Sequence, residues 1–138
     1  MFRMLLVLIV VSFTLNSCST ADLLTQIEGK EWNVTSLLGK TVNTDDMMKG
    51  LPSLNFGENE KLFGSTGCNN FTGSYKLDGA KLSLDLGAMT KMFCPESTEQ
   101  DFLNAINQVT NVKIDGNTLN LLNGSNTVMS LVSPKNEV

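Results

Sequence analysis

The chain has 138 residues, with 10 basic and 14 acidic side chains, a formal net charge of −4 and no histidine. The absent imidazole removes the commonest general base and the commonest transition-metal ligand together. That excludes serine–histidine and cysteine–histidine hydrolysis and imidazole-based zinc catalysis. The lysines are scattered singly along an acidic chain, which excludes a nucleic-acid-binding face.

Arg3, the apolar run Met4 to Val11, and Leu15-Asn16-Ser17-Cys18 read as a bacterial lipoprotein leader. A basic n-region followed by about ten apolar residues is a secretory signal, well short of the roughly 20 residues that span a bilayer. Small Ser17 admits a signal peptidase, and Cys18 becomes the lipid-bearing first residue, acylated with chains such as palmitate. The alternative is an ordinary cleaved signal with a chance cysteine near the cut. The expected organisation is a signal peptide over 1–17, a lipidated tether over 18–25, one domain over 26–133 and a C-terminal tail over 134–138. Ser19 after the cysteine, in place of aspartate, is compatible with sorting to the outer membrane.

Ser19 to Leu24 carries no strong pattern and reads as tether. Ile27, Trp32, Val34 and Leu37 predict a lead-in and a first strand closed by Gly39. Thr44-Asp45-Asp46 before Met47-Met48 resembles a capped helical turn, ended at Leu51-Pro52. Leu54 to Phe56 starts a strand, Gly57 to Glu60 turns, and Lys61 to Ser65 runs back. Phe71, Gly73, Tyr75 and Leu77 alternate with polar residues, Asp78-Gly79 turns, and Leu82, Leu84 and Leu86 alternate again, which predicts a hairpin. Gly73 inside a strand predicts a bend or a close backbone approach.

Ser97-x-x-Gln100 has the form of a capping box, and Phe102, Leu103, Ile106 and Val109 recur at helical spacing. This predicts one amphipathic helix with Pro95 ahead of it and Glu96, Glu99 and Asp101 placed for the macrodipole. Val112 and Ile114, Asp115-Gly116-Asn117, then Leu119 and Leu121 predict a second hairpin; Asn123-Gly124 turns into Val128 to Val132. The expected fold class is mainly β (α+β): a small antiparallel, partly open β-barrel with one packed helix.

With Cys18 acylated, Cys68 and Cys94 are too few for a thiolate zinc site. In an oxidising compartment a disulfide between them is expected, closing a loop of about 27 residues, roughly 3.5 kcal/mol in the chain-entropy model. Two buried free thiols are the alternative. No catalytic residue, metal or cofactor is expected. Thiol redox chemistry is the only reaction the residues offer, and it lacks Cys-x-x-Cys spacing and a neighbouring cation. Methionines 47, 48, 89, 92 and 129 offer an adaptable apolar surface, with core filling the plainer reading for Met89, Met92 and Met129.

Gly64-Ser65-Thr66-Gly67-Cys68-Asn69-Asn70 is not a phosphate loop, because no lysine follows its last glycine and a strand, not a helix, comes next. It reads as a turn in which glycines supply positive φ and asparagines bond local backbone. Gly64-x-x-Gly67-Cys68-Asn69, Gly73-x-Tyr75, Thr90-x-Met92-x-Cys94, the helix with Glu99 and Phe102, Trp32-x-Val34, and Leu119-x-Leu121 together resemble the META domain of HslJ-like lipoproteins. The resemblance spans Ile27 to Val132. Phe93 stands where a small residue such as alanine is commoner, and Val34 where leucine is.

The resemblance implies a compact β-rich domain with one helix, linked in some members to heat-shock or antibiotic stress. It offers Gly64, Gly67, Cys68, Asn69, Thr90, Met92 and Cys94 as motif positions with no catalytic role attached. The fold is also similar to the cracked barrel of secretin pilotins, an analogy of fold alone. The expectation is therefore a monomeric, non-enzymatic envelope lipoprotein, held to the membrane by lipid on Cys18, that binds a hydrophobic ligand or an envelope protein partner. A structural stress-response module is the alternative.

Overall fold

The computed structural model describes residues 19–43, 50–95 and 98–134. The leader with Cys18, the turn expected at Thr44 to Met48, and Ser97 lie outside these residues, as does the tail beyond Pro134. In chain order the elements are α1 (Thr20–Ile27), β1 (Glu31–Leu37), β2 (Lys40–Thr41), β3 (Ser53–Phe56), β4 (Lys61–Ser65), β5 (Asn70–Asp78) and β6 (Lys81–Met89). Then follow α2 (Glu99–Gln108), β7 (Asn111–Asp115), β8 (Thr118–Asn123) and β9 (Asn126–Val132).

Among the described residues all strands belong to one antiparallel sheet of 9 strands in the order β2-β1-β3-β4-β5-β6-β7-β8-β9, and pairing of β1 with β9 closes a ring of hydrogen bonds. Alternation along the strands makes that ring close over apolar side chains. In β5, Phe71 and Tyr75 are buried between exposed Thr72, Ser74 and Lys76, and in β8 Leu119 and Leu121 are fully buried. Close approach of strands at one corner needs glycine. A Cβ on Gly73 would overlap the Asp85 carbonyl, and beside it Ala88 is an extra residue that bulges β6 against β5.

The Ser19 to Leu24 stretch, expected as an unpatterned tether within 18–25, is instead the first helix. Ser19 and Asp22 form a reciprocal capping box, and Leu23 and Ile27, four residues apart, are buried. A helix of 8 residues is too short to persist alone, so packing under the ring holds it. The Trp32 indole N–H donates to Ile27 O at 3.0 Å, Gly29 N–H donates to Phe56 O, and Gly79 N–H donates to the Thr20 hydroxyl at 2.6 Å. The described chain thus holds two helices where one was expected. The second, α2, starts at Glu99 with Thr98 as N-cap, buries Phe102, Ala105 and Ile106, and packs on β9 and β1.

Trp32, Phe56, Tyr75, Phe102, Ile27, Leu54, Leu62, Met129 and Leu131 are among the fully buried side chains of one continuous apolar cluster. At its margin lies a groove of about 400 Å³ between α1 and β7, lined by Leu23, Gln26, Ala80, Val112, Lys113 and Ile114.

Tyr75 carries a pH dependence. Its ring packs edge-on to Phe56 at 5.0 Å, and its hydroxyl lies 2.7 Å from Glu28 Oε1 and 3.1 Å from Gly57 O. Burial holds its proton well above the ordinary value, helped by the hydrogen bond to Glu28 and by the charges of Glu28 and Glu60. The unfolded chain loses this proton near the ordinary 10.0 while the folded chain keeps it. The stabilisation is therefore complete below that pH and is lost as pH rises above it. Urea unfolding followed from pH 9 to about 11 is expected to show falling stability, with a shallower slope in Tyr75→Phe.

Candidate functional site

The residues of the two motifs meet at one end of β5. β4 delivers Gly64, where a Cβ would overlap the Ser53 carbonyl of the neighbouring strand, and the chain then turns through Thr66 to Asn69. Thr66 N–H donates to Asn69 O at 2.8 Å, while the Thr66 hydroxyl oxygen accepts from Asn69 N–H at 2.9 Å and from Cys68 N–H at 3.2 Å. This is the local turn chemistry of a short hydroxyl side chain. Gly67 takes φ +89° within it, a conformation that a side chain resists.

The turn aims the Asn69 side chain at the segment leaving β6. Asn69 is 3% exposed, and its amide is saturated. Oδ1 accepts from Met92 N–H at 2.6 Å and from the Thr90 hydroxyl at 3.0 Å. Nδ2 donates to Met92 O at 3.1 Å and to Glu99 Oε1 at 2.9 Å. The same carboxylate oxygen accepts from the Thr66 hydroxyl at 2.8 Å, and Asn70 N–H donates to Thr90 Oγ1 at 3.0 Å. Cys68 and Cys94 are joined in a disulfide with Cα atoms 6.0 Å apart.

Every motif position therefore falls in one cluster. Cys68, Asn69, Thr90, Met92 and Cys94 meet directly, while Gly64 and Gly67 shape the approach. Thr66 and Glu99, which the motif positions do not include, complete it. Glu99 is a helix-terminal charge by sequence and is also the acceptor that ties α2 to the turn. Met92 departs from the expected core role: its backbone is clamped by Asn69 but its side chain is 41% exposed, and the neighbouring Phe93 is 89% exposed. Met129 is fully buried and Met89 half-buried, as core filling requires. The lipidation position Cys18 lies outside the described residues.

Chemically the cluster is a brace. Its donors and acceptors are matched to one another, and what it presents to water is an apolar pair on a loop fixed at both ends. Among the described residues no three acidic, cysteine or histidine side chains converge as a metal site.

A search of curated proteins found no match. Among solved structures, the chain is similar to a protein determined by NMR, with 27% identity over 78% of this chain and 92% of that one and a TM-score of 0.63. A second NMR structure, of a protein from Burkholderia xenovorans, is 23% identical over 80% and 86% with a TM-score of 0.58. A crystal structure of a DUF4847 family protein from Bacteroides vulgatus ATCC 8482 is 18% identical over 83% and 99%, TM-score 0.60. The last two show a shared fold alone. The model of the META domain matches residues 25–136, which covers the ring, α2 and the braced motif loops: the chain belongs to the META domain family.

Proposed function

We propose that this META-domain protein is a non-enzymatic lipoprotein of the bacterial envelope, anchored by lipid on Cys18, that binds a protein partner through the braced Met92-Phe93 loop under heat or antibiotic stress. The observation that carries this reading is the pairing of a saturated polar network with an exposed apolar tip. Asn69 holds both backbone groups of Met92 and the disulfide holds Cys94, so Phe93 is offered in a fixed position. Pre-organisation of this kind lowers the ordering cost of binding.

Placement supports the same reading. Cys18 precedes Ser19 in sequence, and Thr20 is bonded to Gly79 at the opposite end of β5 from the motif. A strand of 9 residues spans about 30 Å, so the loop would face away from a membrane holding the Cys18 lipid. The continuous cluster of buried apolar side chains favours a protein partner over a lipid taken into the core.

The test is a photo-crosslinking amino acid placed at position 93 in the lipidated protein in its own envelope. A discrete adduct at 93, absent from the same probe at exposed Lys113, is expected. Phe93→Ala should abolish competition for that adduct while changing stability by less than about 0.5 kcal/mol. A purely structural role would give no adduct, and variants of Asn69 would then affect stress survival only through stability.

A further inference from the structure

The weakest seam of the ring lies between β6 and β7. β6 and β7 share only the pair Lys81↔Asn111, flanked by Leu82 N–H donating to Thr110 O and Val112 N–H donating to Ala80 O. Upstream of β7 the chain is α2, which lies against β9 and β1. Beyond Leu82, β6 therefore runs on with β5 on one side and no strand on the other.

Parity gives the direction of its free groups. The hairpin turns at Gly79-Ala80 and registers Asp78↔Lys81, Lys76↔Ser83 and Ser74↔Asp85. In a two-residue hairpin the pair next to the turn is the hydrogen-bonded one, so the odd-numbered β6 residues bond β5. Leu82 N–H, aimed at Thr110, obeys the same parity. The N–H and C=O groups of Leu84 and Leu86 consequently face the open side, and among the described residues no strand meets them. The extra residue Ala88 ends this edge with a bulge.

We propose that this edge accepts one extended peptide segment of a partner protein, added in line with β7, with a basic residue opposite Asp85 and apolar residues on either side of it. Backbone groups at strand spacing select an extended chain. Leu84 and Leu86 are half-buried against the core, as are Leu103 of α2 and Val109 just after it, so inward-pointing residues of the segment must be apolar. Asp85 is exposed on the outer face and would occupy a non-hydrogen-bonded pair, where facing side chains are closest. The same geometry opposes a second copy: antiparallel pairing of two such edges through Leu84 and Leu86 sets Asp85 directly against Asp85, and like charges so placed repel. The proposal rests on the reading that the domain binds a protein segment.

The probe is the synthetic peptide acetyl-Thr-Val-Thr-Val-Lys-Val-Thr-amide, added at millimolar concentration to the full chain while amide exchange is read residue by residue. Exchange at Leu84 and Leu86 is expected to slow by about tenfold. Glutamate in place of the peptide's lysine should weaken binding roughly two- to fivefold, and N-methylation of its valines should abolish protection. Leu86→Pro removes an outward N–H without touching the β5 ladder, and it should abolish binding with the circular dichroism spectrum retained. Absence of protection at Leu84 and Leu86, equal protection by the N-methylated peptide, or concentration-dependent protection without peptide overturns the proposal. If the adduct at position 93 persists after such a result, the edge is wrong and partner binding stands; if the adduct is also absent, both fall.

Discussion

Asn69→Ala lowers unfolding stability by about 3 kcal/mol, enough to move the melting midpoint by roughly 12 °C in a domain of this size. The figure follows from what the amide holds. Its loss leaves the Met92 N–H and C=O, the Thr90 hydroxyl and one approach to Glu99 without their partner. Each buried polar group left unpaired costs about 1–3 kcal/mol, but the Met92 loop is half open and water replaces part of the loss. Asn69→Asp separates hydrogen bonding from shape. It keeps the acceptor for Met92 N–H and Thr90 but sets a second carboxylate at the position 2.9 Å from Glu99 Oε1. Two carboxylates that close raise the affinity of the pair for a proton in the folded state, so its stability is present at low pH and lost as pH rises through that range. Chemical denaturation of this variant should show stability rising from pH 7 to about pH 5, while Asn69→Ala shows no such gain over the parent. If Asn69→Ala costs less than about 1 kcal/mol, the network does not brace the loop.

The longer strands of this fold were legible because they carry a period-2 alternation bounded by turn residues, whereas β2, two exposed residues long, has no alternation to read. Lys61 to Ser65 coincides with β4, and the Asp78-Gly79 hairpin joins β5 to β6. α1 was hidden because Ser19-x-x-Asp22 stands in a short polar stretch with only Leu23, Leu24 and Ile27 as apolar signal. Its stability comes from contacts with Trp32, Phe56 and Gly79, all of which lie outside the helix. The motif positions could be read, but their chemistry could not. Glu99 lies 33 residues from Thr66 and 30 from Asn69, and a carboxylate in a first helical turn already has a local explanation in the macrodipole. The exposure of Met92 was equally hidden, since a methionine between threonine and cysteine has no periodicity to place it. The parting of β6 from β7 is a matter of register at a single residue pair, which alternation alone does not fix.

Breaking the disulfide with Cys68→Ala and Cys94→Ala together is expected to cost roughly 3.5 kcal/mol from the entropy regained by the unfolded chain. The native side adds a separate effect. Cys68 is fully buried and sits next to Asn69, so the bridge and the amide fix the same segment between Thr90 and Cys94 from two directions. Constraints that hold one loop do not act independently, and a double-mutant cycle measures the excess. Without the bridge, the loop has more freedom to regain when Asn69 is also lost, yet part of what Asn69 held is already loosened. The combined variant should therefore be less destabilised than the sum of the two changes, by about 1 kcal/mol. Exchange of the Met92 amide gives a readout that global stability does not. It should quicken modestly with either change alone and approach the rate of an open loop only with both. Strict additivity, with Met92 exchange set by Asn69 alone, would mean that the disulfide acts only on the unfolded chain and that the clamp on the Met92-Phe93 tip is the amide's work.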